Sequence, residues 1–284
     1  MSAIAAKTTL SFFEKSREQI GAKNAPEECN MIRIVSFYNR KGGVGKSSLC
    51  FLTARYLART GQRVLVLDLD PQKTISSHFM RLEGFRHEPG RDPDAFSLML
   101  DKHAVYEAAV DVKENIRLVP GSYDMSEIQS NVSVFRVKEA LDPASEEYDF
   151  CLIDNAPNWS ALIQSALFAS GLIVIPALPA IEDMEQAQWS LIRAAKVSKG
   201  VRRIVLNQHS ARPGRVVRTL LRHYEPYFRD FLLESWIPQS GLVRRYTGTG
   251  EEINSFARSK RAFMKCFSAF VNETMDTRLI PEGF

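Results

Sequence analysis

The chain has 284 residues, of which 45% are hydrophobic, and a net charge of +4. This length buries a full core and suits one large α/β domain better than two small ones. No apolar run reaches the ~18 residues of a spanning helix, and the N-terminus lacks the charged-then-apolar order of a signal peptide, so a cytoplasmic protein is expected. The four cysteines are far apart, without metal-ligand spacing, and read as reduced thiols, three of them in buried apolar runs.

Residues 1–30 are polar, with a short amphipathic stretch at 10–20 and an Asn24-Ala25-Pro26 break. They are expected to form an arm without a fold of its own, leaving 31–284 as a single domain. Strand-like runs then recur at 32–38, 63–69, 116–119, 150–153, 172–175, 204–206 and 231–236. Helix-length amphipathic segments lie between most of them, at 47–59, 125–141, 161–168 and 184–197, and 82–91 reads as a surface loop insertion. This alternation predicts an α/β, doubly wound, mostly parallel sheet with helices on both faces. Ligands of such sheets sit beyond the carboxyl ends of the strands.

Residues 41–47 read Lys41-Gly42-Gly43-Val44-Gly45-Lys46-Ser47, directly after the first strand and before the first helix. That order of strand, glycine-rich turn and helix makes a phosphate cradle of inward N–H groups, reinforced by the helix N-terminus. Lys46 stands where the loop lysine reaches β- and γ-phosphates, and Ser47 where a hydroxyl ligates magnesium; Ser48 closes the loop. The lysine at the front of the loop, Lys41, is not required by a plain phosphate loop. Taken alone it reads as a surface lysine.

Two acidic strand ends point to the same edge. Asp68-Leu69-Asp70-Pro71-Gln72 closes the second strand and Asp154 closes the run 150–153. Asp68 and Asp70 share a face by alternation, with Asp70 at the tip where it can reach a water or the magnesium shell. A buried apolar strand ending in Asp, as at Asp154, is the pattern of a magnesium-water ligand, although each Asp alone reads equally as a helix N-cap.

With these residues in place, the string 41–47 resembles the deviant Walker A signature of the ParA/MinD ATPases. Residues 68–72 resemble the second motif of the ParA branch, Asp154-Asn155-Ala156-Pro157 the Walker B element and second switch, 173–176 the next strand, and Trp236-Ile237-Pro238 the late Ile-Pro element. The resemblance spans about 32–270. It implies ATP and Mg2+ as cofactors and a homodimer in the ATP state, with Lys41 of one subunit crossing to the phosphates of the other. Asp70 would serve the attacking water, Ser47, Asp70 and Asp154 the metal, and Asn207 and Pro238 the adenine side, with a strand-end Asn also readable as a turn former. Ala156, Asn158, Gln239 and Arg245-Tyr246 depart from the family pattern, away from the phosphates.

Residues 199–265 carry 14 Lys or Arg against 5 Asp or Glu, so the C-terminal third is the basic part. Arg212, Arg215, Arg218 and Arg222 have the spacing of one helix face after Pro213, and Arg244 and Arg245 extend the patch; solvated surface charge is the plain alternative. The resemblance implies non-specific DNA binding in the ATP state, release when a ParB-type or other adaptor stimulates hydrolysis, weak intrinsic ATPase activity, and a nucleoid-associated role in plasmid or chromosome partition. The arm at 1–30 is too short for an operator-binding domain. Two other readings are a MinD-like positioning ATPase on membranes and a ParA-like ATPase positioning a protein cargo. The membrane reading draws on Phe256, Phe263, Met264, Phe267, Phe270 and Val271 beside Arg258, Lys260, Arg261 and Lys265, a stripe that a closing core helix also requires. Amide-ligase or iron-sulfur relatives find no substrate motif or paired cysteines here.

Overall fold

The computed structural model describes residues 32–210, 212–243, 247 and 258–275. The arm at 1–30, Cys29, Arg244, Arg245, Phe256 and the last nine residues fall outside them. The strands are β1 (Arg33–Phe37), β2 (Val64–Asp68), β3 (Val110–Lys113), β4 (Ile116–Val119), β5 (Phe150–Asp154), β6 (Leu172–Ala177), β7 (Val201–His209) and β8 (Leu232–Pro238). The helices are α1 (Lys46–Arg59), α2 (Thr74–Glu83), α3 (Ala95–Met99), α4 (Val105–Ala108), α5 (Arg136–Leu141), α6 (Ala161–Ala169), α7 (Ile181–Val197), α8 (Arg215–Phe228) and α9 (Arg258–Met275).

The strands form one eight-stranded sheet in the order β3-β4-β2-β5-β1-β6-β7-β8. Every pairing is parallel except the β3–β4 hairpin. Alternation along β2 and β5 explains the two layers. Val64, Val66, Phe150 and Leu152 face one core with residues of α1, α2 and α9, while Leu65, Leu67, Cys151 and Ile153 face another with residues of α3 to α6. β1 lies centrally between β5 and β6, so the loop that follows it opens where the winding changes direction.

Three expectations change. The segment 125–141 is not one helix: a 3₁₀ turn at Tyr123–Ser126 and the short α5 flank a run containing Ser130, Asn131 and Ser133, residues whose side chains compete with helical hydrogen bonds. Residues 110–113, unassigned from the sequence, form edge strand β3, and the hairpin turn is made by Asn115 with φ 61°. Asn207 lies inside β7, which runs well past residue 206.

On α9, Phe263, Phe267, Phe270 and Val271 are buried in the first core, with Phe267 against Tyr56 of α1. The apolar stripe is therefore spent on the protein interior, as a closing core helix requires. Among the described residues no helix is long and apolar enough to cross a membrane. Cys50 and Cys151 are buried thiols, whereas Cys266 is only half-buried because it lies beside the buried stripe.

Candidate functional site

The front of the loop is built by Asn39. Its side chain is fully buried, donates from Nδ2 to the Pro176 carbonyl (2.7 Å), and accepts from the Lys41 amide (3.0 Å) and the Ser190 hydroxyl (3.3 Å). Ser190 in turn accepts from the Arg40 amide at 3.1 Å. The residues leading into the loop are thus tied both to β6 and to α7.

The loop then turns into α1 through Gly45, at φ 95°, which has no side-chain cap for the helix amides. A Cβ at Gly45 would lie 2.3 Å from Nδ2 of Asn207, so this glycine is required by its conformation and by close approach. The uncapped N-terminus of α1 leaves its N–H groups and partial positive charge open to an anion.

Lys46 is only 7% exposed and donates to the Lys41 carbonyl at 3.2 Å. Burial pushes its pKa down, and the charges of Asp154 and Asp70 push it back up. Asp154 is completely buried, which raises its pKa well above the carboxylate range; neighbouring Asp68 raises it further, while Ser47 and Lys46 favour the charged form. Neither Asp154 oxygen has a hydrogen bond of ordinary geometry. A buried carboxylate with orphaned oxygens, next to a serine hydroxyl and an ammonium, is chemically incomplete and suits a hydrated divalent cation.

Asp68 and Asp154 are direct register partners on β2 and β5. Asp68 turns inward: it accepts from the Asp70 amide (3.1 Å), the Ser76 amide (3.2 Å) and the Ser76 hydroxyl (2.6 Å). Burial raises its pKa to about 7, and these hydrogen bonds oppose the rise. Its role is to shape the turn that presents Asp70. Asp70 accepts from the Gln72 amide at 2.9 Å and sits at the strand tip, close enough to Lys46 to raise that lysine's pKa.

A cavity of about 360 Å3 adjoins the loop, lined by Gly43, Gly45, Ser48, Asn207, Gln208 and Pro238 among others. Asn207 is committed within it: Nδ2 donates to the Val44 carbonyl (2.7 Å) and Oδ1 accepts from the Gln208 amide (2.9 Å). The structure therefore brings together 41–48, Asp70, Asp154, Asn207 and Pro238 at one sheet edge. The arginines lie elsewhere. Arg215, Arg218 and Arg222 are exposed on α8 and Arg212 is exposed just before it.

Several residues here were not anticipated. Asn39 and Ser190 support the loop, and the carboxyl of Asp183 on α7 is buried, which raises its pKa, while the nearby Lys41 charge opposes the rise. Trp159, following Asp154, meets Trp189 of α7 edge-on (5.8 Å between centroids, 89°), and Arg40 lies over Trp189 at 4.5 Å. Asn39 stands two residues before the loop, but nothing in the sequence links it to Ser190 or Asp183.

A family model described as an AAA domain matches residues 32–199. The sporulation initiation inhibitor protein Soj of Bacillus subtilis is 26% identical over 236 residues, covering 78% of this chain and 90% of that protein. The chromosome-partitioning ATPase Soj of Thermus thermophilus is 31% identical over 172 residues, covering 60% of this chain and 64% of that one. Among solved structures, a plasmid partition protein of Borrelia burgdorferi bound to AMPPNP superposes with a TM-score of 0.71 at 19% identity, covering 85% of this chain and 99% of that one. With its two-lysine loop and aspartate-tipped strands on the matching fold, the chain belongs to this AAA domain family and, within it, to the ParA-type partition ATPases of the ParA/MinD superfamily.

Proposed function

We propose that residues 31–284 form one ATPase domain that dimerises around ATP, binds DNA without sequence preference in that state, and lets go when an adaptor stimulates hydrolysis. The observation that carries this reading is Lys46, buried between Asp70 and Asp154 at an uncapped helix start, with a second lysine, Lys41, at the front of the same loop.

In this reading the loop amides of 42–48 and Lys46 hold the phosphates, and the neighbouring cavity takes the base beside Asn207 and Pro238. Ser47 and Asp154, with Asp70 beside them, would hold a magnesium ion, which when bound would supply positive charge to the transferred phosphoryl. Asp70 orients water at the strand tip. Lys41 supplies a cation to the partner's ATP, so hydrolysis depends on dimerisation. Partner-triggered release from Arg212, Arg215, Arg218 and Arg222, with Arg244 and Arg245, would let the protein move a cargo over nucleoid DNA in the cytoplasm. The adaptor, not this chain, would decide whether that cargo is a plasmid, a chromosome or a protein assembly.

Gel filtration and ATPase assays of Lys41→Ala and Asp70→Ala test it. Lys41→Ala should bind ATP yet lose hydrolysis and the ATP-dependent dimer. Asp70→Ala should bind ATP and trap it as a dimer. A Lys41→Ala protein with the wild-type dimer and turnover would remove the trans-lysine mechanism.

A further inference from the structure

α7 carries a charge pattern that suits its own dipole but leaves its acids and cations too far apart to pair with one another. Its midpoint is Trp189, and Glu182, Glu185, Arg193 and Lys196 stand at seven and four residues on either side of it. At 100° per residue these five positions share one stripe, opposite the buried face of Met184, Ala187, Leu191 and Ala194. Acids fill the N-terminal half of the stripe and cations the C-terminal half. Glu185 and Arg193 are about 12 Å apart along the axis and Glu182 and Lys196 about 21 Å, too far to pair within the helix. None of the four has an ion-pair partner among the described residues.

The pattern is antisymmetric about Trp189, and that property selects the occupant. A second α7 laid antiparallel across the first, with a two-fold axis at Trp189, places Glu185 against Arg193 and Glu182 against Lys196, each twice. Self-complementarity about a two-fold axis is what an isologous interface requires. The centre of the stripe suits a contact as well: Trp189 is a half-buried indole held by Trp159, Arg40 and Arg193, so it is already ordered and loses little freedom on being covered. Arg40 also joins this face to Lys41, its neighbour in sequence, at the edge from which that lysine would have to reach a partner.

We infer that the solvent-facing stripe of α7 is a dimer contact in which two copies of this chain pack α7 against α7 in antiparallel fashion around Trp189. The inference rests on the proposed ATP-dependent dimer and specifies one of its surfaces. It places Arg193 and Glu185 in direct exchange across the two-fold axis. It also makes the contact salt-sensitive, since the pairs sit at the rim of the tryptophan contact.

Sedimentation velocity of the full chain with Mg-ATP at low salt tests it, using Glu185→Arg, Arg193→Glu and the double variant. Each single reversal turns two attractions into repulsions and should weaken dimerisation about tenfold or more, while the double variant should return to near wild type. ATP binding should stay unchanged in all three, because neither side chain lines the loop or its cavity, and the melting temperature of Glu185→Arg should match wild type. Arg193→Glu also gives up its stacking on Trp189 and Trp159, so its dimer loss is read against the double variant, which lacks the same stacking yet regains the ion pairs. Trp189→Cys provides a second measurement: a position on the two-fold axis meets itself, so mild oxidation in ATP should give a covalent dimer that wild type, carrying the native cysteines, does not. If wild type dimerises with ATP but the single reversals leave the dimer constant unchanged and the Trp189→Cys chain does not cross-link, the α7 contact is wrong and the ATP-dimer reading stands. If wild type binds ATP yet stays monomeric, that reading falls and takes the contact with it. Reversals that alter DNA binding and not self-association would assign the stripe to DNA and overturn the inference.

Discussion

Asn207 reaches from β7 to the phosphate loop, donating its amide to the Val44 carbonyl at 2.7 Å, and a methyl group on the next residue, Gly45, would stand 2.3 Å from that amide. The contact fixes the loop from the side of the cavity, just as Asn39 fixes it from the side of β6. A residue expected from the sequence to face the base thus has its side chain engaged with the loop backbone.

The two roles separate experimentally. Asn207→Ala removes one buried hydrogen bond and should weaken nucleotide binding by about 1 to 2 kcal/mol, roughly tenfold. As a loop support, Asn207 should weaken ATP and GTP equally; a selective loss of ATP would return it to base recognition. Gly45→Ala should abolish binding of both, because it adds a left-handed alanine as well as the clash. Isothermal titration with each nucleotide reads both outcomes.

His78 provides a pH signature away from the phosphates. It packs edge-on against Phe51 (5.6 Å), lies 2.9 Å from the Arg81 guanidinium, and has its pKa lowered to about 4, first by burial and then by Arg81. The unfolded chain protonates this residue near pH 6.5 and the folded chain only near 4, so between those values the unfolded state holds more protons. Stability is fully present above about pH 6.5 and falls as pH falls, by roughly 3 kcal/mol from this group. His78→Gln should flatten the dependence of urea midpoint on pH between about 4 and 6.5. A slope identical to wild type would assign the acid sensitivity to other groups.

What could be read from the chain divides along physical lines. The sheet, the loop and the Asp154 strand end were legible because each is written in consecutive residues: apolar runs, a glycine string, a terminal carboxylate. The edge strand β3 was not, since Val110-Asp111-Val112-Lys113 offers only four alternating positions and depends on the Asn115 turn for its pairing. The long helix expected over 125–141 failed because Met125, Ile128, Val137 and Leu141 all reach the core while the serine and asparagine between them break the backbone pattern. The support layer of Asn39, Ser190 and Asp183 was invisible for a third reason. Asn39 and Ser190 are 151 residues apart and meet only when α7 docks beside β1.

The basic surface yields a salt-dependence prediction. Arg215 and Arg222 project from α8 into solvent without ion pairs among the described residues, whereas Arg218 also donates to the Pro213 carbonyl at 2.7 Å. If α8 meets the DNA backbone, Arg215→Glu with Arg222→Glu should weaken ATP-dependent DNA binding at every sequence tested. The slope of log affinity against log salt should fall by about 0.9 for each phosphate that is no longer neutralised. ATP binding should be unchanged. Unaltered affinity and slope would move the DNA face off this helix.

The final helix carries a prediction that also separates the partition reading from the membrane one. Phe267 is 2% exposed and sits within 6.0 Å, centroid to centroid, of Tyr56, Phe263 and Phe270, joining α9 to α1, the helix that begins at the phosphate loop. Phe267→Ala removes most of an aromatic ring from a packed site and should cost about 3 to 5 kcal/mol of folding stability. A helix that instead released this face to lipid would show the opposite pattern, with little loss of stability and a large loss of vesicle binding. Chemical denaturation and co-sedimentation with anionic vesicles in Mg-ATP, run on the same variant, distinguish them. The expected result is a lowered denaturation midpoint with no vesicle binding by either wild type or variant, because the ring contributes to the core beneath α1 and is not available to a bilayer.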